Sequence, residues 1–210
     1  MQAMNDTRQA HADLAFMKAL VEEGGRSQMT GGAIFLAAGL LYGLQCLVHW
    51  TQIVGITRFS DGFMLAFVIG ITVTFLFALG LVIWRDRKNV QRAVGTRALN
   101  AAFGGAGVAN LVLCSVFGLV AWRAHSETIW LLYPVTTCVV LGFAWFIAYM
   151  MRKRLWLASV SLGWYATAVG LGLLIGSGND ATYILLLGVA LLVLMALPGG
   201  VMMRLARTAG

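Results

Sequence analysis

The stretch IWRDRKNVQRAVGTR, Ile83 to Arg97, holds five of the chain's fifteen basic residues and a single acid, Asp86. Such a run belongs to a nucleic-acid stripe, to a basic tail, or to a turn at the surface of a membrane protein, and each reading gives a different fold. Its flanks decide between them. Gly62 to Trp84 before it and Ala98 to Trp122 after it contain no Asp, Glu, Lys or Arg. Each is long enough to cross a hydrocarbon core of about 30 Å as a helix rising about 1.5 Å per residue. The basic run is the turn between two spans. No aromatic interleaving or binding module surrounds it, so nucleic acid is excluded as a partner.

Four further runs of the same kind lie at Met29 to Trp50, Thr128 to Met151, Leu155 to Ile175 and Ala181 to Met203. Apolar residues make up 60% of the chain and charged ones 11%, against about a quarter charged in a soluble domain. With a mean hydropathy of +0.84, one globular core could not bury this much apolar surface, so the lipid bilayer is the solvent. Backbone groups find no water in lipid, which leaves helices as the form of each run. The expected fold class is all-α: a polytopic membrane protein with six transmembrane helices over residues 29–203. A segment 1–28 precedes them and a short tail 204–210 follows. Trp50, Trp84, Trp122, Trp130 and Trp156 fall near run ends, where an indole keeps its N–H wet.

Basic residues set the orientation. The N-terminal segment carries Arg8, Lys18 and Arg26; the second connection the five already quoted; the fourth Arg152, Lys153 and Arg154; the tail Arg204 and Arg207. The other side carries Arg58 and Arg123, so the distribution is thirteen against two. Lys and Arg are retained in the cytoplasm, which predicts an inner or plasma membrane protein with both termini cytoplasmic. The first apolar run starts at Met29 behind four acids, which is not the pattern of a cleavable signal peptide. Cys46, Cys114 and Cys138 all sit in apolar runs without a CxxC pair, so no disulfide framework is expected.

A weak repeat accompanies this topology. Ser60, Ser126 and Asn179 each precede an acid at the start of an even-numbered span, and Arg85, Arg152 and Arg204 follow 25, 26 and 25 residues later. Three tandem helical hairpins would give this spacing; so would a bilayer of fixed thickness with ordinary capping.

Residues 5–25 read as a cytoplasmic amphipathic helix, started by Asn5, Asp6 and Thr7 and stopped by Gly24 and Gly25. Ala10, Leu14, Phe16, Met17, Leu20 and Val21 share an arc of about 160°, with Lys18, Glu22 and Glu23 opposite. Its net charge of −2 suits a protein surface better than an anionic leaflet. The expected contact pairs Leu14, Met17, Val21, Glu22 and Glu23 with the basic loop at Arg85, Arg87, Lys88 and Arg92, or with a protein partner.

The spans carry little chemical equipment. No ionisable group sits at mid-depth, where ion pathways, proton relays and intramembrane catalysis usually keep one. No aquaporin, carrier, Walker or haem-binding motif is present, so no cofactor is expected. Cys46 and His49 share a helix face and His125 lies in a connection on the same side, the chain's best candidate metal ligands. Asn110 lies near the middle of span three. An amide there is expected either to hydrogen-bond between helices or to line a polar path with Gln45, Thr72, Thr74, Thr136 and Thr137. Small residues recur at four-residue spacing in the odd spans: Gly39 and Gly43; Ala101, Gly105 and Ala109; Ser159, Gly163 and Thr167. Close helix packing is the expectation, placing the odd spans centrally and offering faces for a homo-oligomer.

Two functions follow as expectations. One is a non-enzymatic scaffold, sensor or accessory subunit acting through its cytoplasmic face. The other is a small uncoupled transporter or channel with its path near Asn110.

Overall fold

A computed structural model describes residues 2–86 and 94–208. Among the described residues there are helices and turns but no strands. The elements are α1 (Gln2–Ile53), α2 (Asp61–Asp86), α3 (Val94–Ala124), α4 (Glu127–Arg152), α5 (Leu155–Leu174), α6 (Asp180–Leu191) and α7 (Leu197–Thr208). A π-helical turn, Leu192–Ala196, joins the last two. Six stretches are long and apolar enough to cross a membrane: Ser27–Ile53, Asp61–Arg85, Thr96–Ala124, Glu127–Arg152, Leu155–Leu174 and Asp180–Thr208. Five of them contain a run read from sequence; the other, Leu155–Leu174, stops one residue short of the run's end at Ile175. Trp84 and Trp122, at the ends of their spans, are 67% and 73% exposed.

The N-terminal helix does not stop at Gly24 and Gly25, as the sequence suggested. α1 runs unbroken for 52 residues, about 78 Å at the usual rise. Glycine ends a helix when its backbone turns left-handed; in right-handed geometry it costs only about 1 kcal/mol. The described left-handed glycines are Gly55, Gly176 and Gly178, all in inter-helix turns. Likewise α7 continues to Thr208 without a break at Arg204.

Helix starts follow the acids more than the caps. Asp61, Glu127 and Asp180 lie in the first turns of α2, α4 and α6, where the dipole favours them. Ser60 Oγ accepts from the Phe63 N–H at 3.3 Å, but Ser126 and Asn179 make no side-chain cap bond.

α1 packs along α6 and α7, α5 joins α6 to α4, and α3 leans on α4. α2 touches chiefly α1. The span windows of α2 and α3 are each 6% buried, against 39% for α5. α3 is therefore peripheral, which corrects the expectation that all odd spans are central. The three sequential hairpins are also not packed alike, since the largest interfaces, α4 with α5 and α1 with α7, join different hairpins.

Glycine explains which faces close. A methyl group on Gly39 would collide with the Ala196 backbone nitrogen and with Leu191 O at 2.8 Å; one on Gly199 would meet Gly32 O at 2.7 Å. Gly43 faces the Leu192 side chain, and Gly188 faces Cys46 Cβ at 2.9 Å. The α1 stripe thus lies against α6, the π turn and α7. Gly163 of α5 likewise meets Leu194. Around Gly104, Gly105 and Gly107 of α3 there is open space.

Candidate functional site

Where α1 meets α3 and α4, rings replace glycines. Phe35 packs edge-on against Phe103 with centroids 4.9 Å apart, and both contact Trp145, at 5.2 and 5.3 Å. Trp145 is 1% exposed, and its indole N–H has no acceptor. Aromatic side chains hold these helices apart, so the interface has room for polar groups that the glycine seam lacks.

Polar groups gather farther along α3 and α4, near the middle of those helices. Asn110 Oδ1 accepts from Thr137 Oγ1 at 2.8 Å and from Tyr133 Oη at 3.1 Å, tying α3 to α4. Tyr133 also borders Cys114, one turn beyond Asn110 on α3. Across from them Tyr42 of α1 interacts with Thr72 of α2 and lies near Cys114. Four helices thus supply Tyr42, Thr72, Asn110, Cys114, Tyr133 and Thr137, all half-buried. The groups are hydroxyls, a thiol and an amide. Such a set can orient a neutral polar solute, and it includes no carboxylate, ammonium or guanidinium.

Of the residues singled out by sequence, the structure unites Asn110 with Thr137 and brings Thr72 to the same region. Thr74 is exposed and bonds Gly70 O of its own helix at 2.7 Å. Thr136 bonds Tyr133 O at 2.9 Å. Gln45 Oε1 is buried without a partner, while its backbone oxygen meets His49 Nδ1 at 2.9 Å. Tyr42, Cys114 and Tyr133 escaped the sequence reading. Their types blend into an apolar run, although Tyr133 stands 23 residues from Asn110, the spacing of two facing positions in a helical hairpin.

The metal candidates do not converge. Among the described residues no three His, Cys, Asp or Glu side chains are grouped as a metal would require. His125 stands in the α3–α4 turn with φ 48. Two ligands on α1 and one in a separate turn do not close a coordination sphere.

The docking candidates divide. Leu14 and Met17 are 59% and 55% exposed, and Asp13, Ala15 and Lys18 beside them are exposed too. These five positions cover about 200° of the helix circumference, so α1 stands clear of the bundle on those faces. The loop residues 87–93 on which Leu14 and Met17 are expected to seat lie outside the described residues. The side chains of Val21, Glu22 and Glu23 lie outside the described residues, as do Arg87, Lys88 and Arg92; Arg85 is exposed.

No protein-family model, curated protein or solved structure matches the chain.

Proposed function

We propose that the protein is a non-enzymatic membrane scaffold, sensor or accessory subunit, held by six helices in an inner or plasma membrane with both termini in the cytoplasm. Its working surface is the part of α1 that precedes the span. The observation that carries this reading is the exposure of Leu14 and Met17 on a helix continuous with Ser27–Ile53. Two apolar side chains left exposed among the described residues, on a helix continuous with a span, suit pairing with a partner helix about 20 Å beyond the membrane. The one-sided distribution of Lys and Arg supports the orientation.

Photocrosslinkers at positions 14 and 17 test the reading in cells. One discrete protein adduct from each position, that from position 17 lost on Leu14→Asp, is the expected result. Adducts to phospholipid alone would refute it.

A second reading, a small uncoupled transporter or channel, is favoured by the half-buried polar cluster at Asn110, Tyr133 and Thr137. It requires solute flux in proteoliposomes that Asn110→Leu abolishes and that deletion of residues 2–24 leaves intact.

A further inference from the structure

The α4–α5 turn gathers three cations on three residues. Arg152 is the last residue of α4. Lys153 turns left-handed at φ 52 and donates its N–H to Tyr149 O at 2.7 Å. Arg154 starts α5 in an extended conformation. The turn is so tight that Arg152 and Arg154 lie close enough to repel one another.

Arg152 is half-buried, and the described partner of its Nη1 is Gln28 Oε1 of α1, at 3.2 Å. That bond fixes the amide's orientation, because turning it over would set NH2 against guanidinium. Gln28 Nε2 is left buried with no acceptor. The neighbouring Ser27 donates to Asn100 Oδ1 of α3 at 3.4 Å, so its hydrogen is already used. Acids with described side chains are remote. Asp61, Glu127 and Asp180 stand in the first turns of α2, α4 and α6, a span's length away. Asp13 is 15 residues up the projecting helix, about 22 Å from Gln28. The junction therefore presents guanidinium and amide donors without a described carboxylate to take them.

We propose that this junction, built by Arg152, Arg154 and Gln28, binds the phosphate of an anionic ligand. Phosphate offers several oxygens to a forked guanidinium and accepts charge-assisted hydrogen bonds from two arginines at once. The position, at the end of the bundle where α1, α3, α4 and α5 come together, is at headgroup depth, where basic pockets between spans hold anionic lipids. Arg152 and Arg154 contact the ligand. Gln28 is a positioning residue that aims Arg152. Bound there, the phosphate offsets the repulsion between the two arginines and fastens α4 and α5 to α1.

The test is native mass spectrometry of the full chain in neutral detergent, titrated with phosphatidylglycerol, phosphatidylcholine or inorganic phosphate. One phosphatidylglycerol should be retained in preference to phosphatidylcholine. Arg154→Gln, at an exposed position that leaves the fold alone, should weaken retention about tenfold, the effect of losing one charge-assisted bond. Arg152→Gln should do the same, and Arg123→Gln, at the other end of the bundle, should change nothing. Displacement of the lipid by millimolar inorganic phosphate identifies free phosphate as an accepted ligand; no displacement assigns the site to the headgroup. Equal retention of the two lipids, undiminished binding in Arg154→Gln, or an equal loss in Arg123→Gln would overturn the proposal, as would no binding of any probe.

Discussion

α1 is lined by two seams made of opposite materials. Toward α6 and α7 it presents Gly32, Gly39 and Gly43, and backbones touch. Toward α3 and α4 it presents Phe35, whose ring meets Phe103 and Trp145; Tyr42 turns to Phe75 and Thr72 of α2. Lipid removes the hydrophobic drive between helices, so association depends on close approach or on hydrogen bonds. The glycine seam uses the first. The α3–α4 contact beside the aromatic seam uses the second, through Asn110, Thr137 and Tyr133. One seam brings backbones into contact, and the other lies beside the half-buried polar groups of α3 and α4.

The largest effect should come from closing the first seam with a single carbon. In Gly39→Ala the new methyl meets the Ala196 nitrogen, Ala196 Cβ and Leu191 O, and two of those atoms are backbone that cannot swing aside. We expect a loss of about 2–3 kcal/mol. It would be read as a lower thermal midpoint in detergent and poor recovery of monodisperse protein. An unaltered midpoint would mean that the two backbones are not in contact.

The second seam should respond about half as strongly. Asn110→Leu removes one acceptor and strands two hydroxyls; the Thr137 hydroxyl can turn to a carbonyl of its own helix, and Tyr133 Oη has Cys114 beside it. About 1 kcal/mol is expected, and a double-mutant cycle with Thr137→Val should show a coupling of about 0.6–1.7 kcal/mol. Zero coupling would leave the α3–α4 contact without its hydrogen bond. Trp145→Phe should cost still less, under about 1 kcal/mol. It removes ring area but also an indole N–H that has no acceptor in its buried site. A large loss there would reveal an acceptor for that N–H.

These seams also explain what was legible in the sequence. All six long apolar helices could be read because hydropathy and length are local properties. The seams could not, because a stripe of small residues states only that something is able to approach. Gly39 and Gly43 meet α6 and the π turn, Gly163 meets Leu194, and Gly105 meets nothing among the described residues. The three stripes look alike in sequence. Gly24 and Gly25 misled for a related reason, since glycine permits a helix end without compelling one. Asn110 was legible as an amide in need of partners, and Thr137 stood among the candidates. Tyr133 was hidden because tyrosine in an apolar run reads as bulk until the facing helix is placed.

The smallest effect is the most discriminating, because its sign differs between two glycines. Gly105→Ala puts the same methyl on the α3 stripe, where open space surrounds it. Replacing glycine by alanine within a helix removes backbone freedom from the unfolded chain, a gain of about 0.4–1 kcal/mol where nothing collides. The thermal midpoint should therefore hold or rise slightly, opposite in direction to Gly39→Ala. A fall at Gly105 comparable to that at Gly39 would break the distinction between the two seams. It would mean that a helix from outside this chain lies against α3 at backbone distance, and an accompanying drop in oligomer size on gel filtration would identify that helix as a second copy.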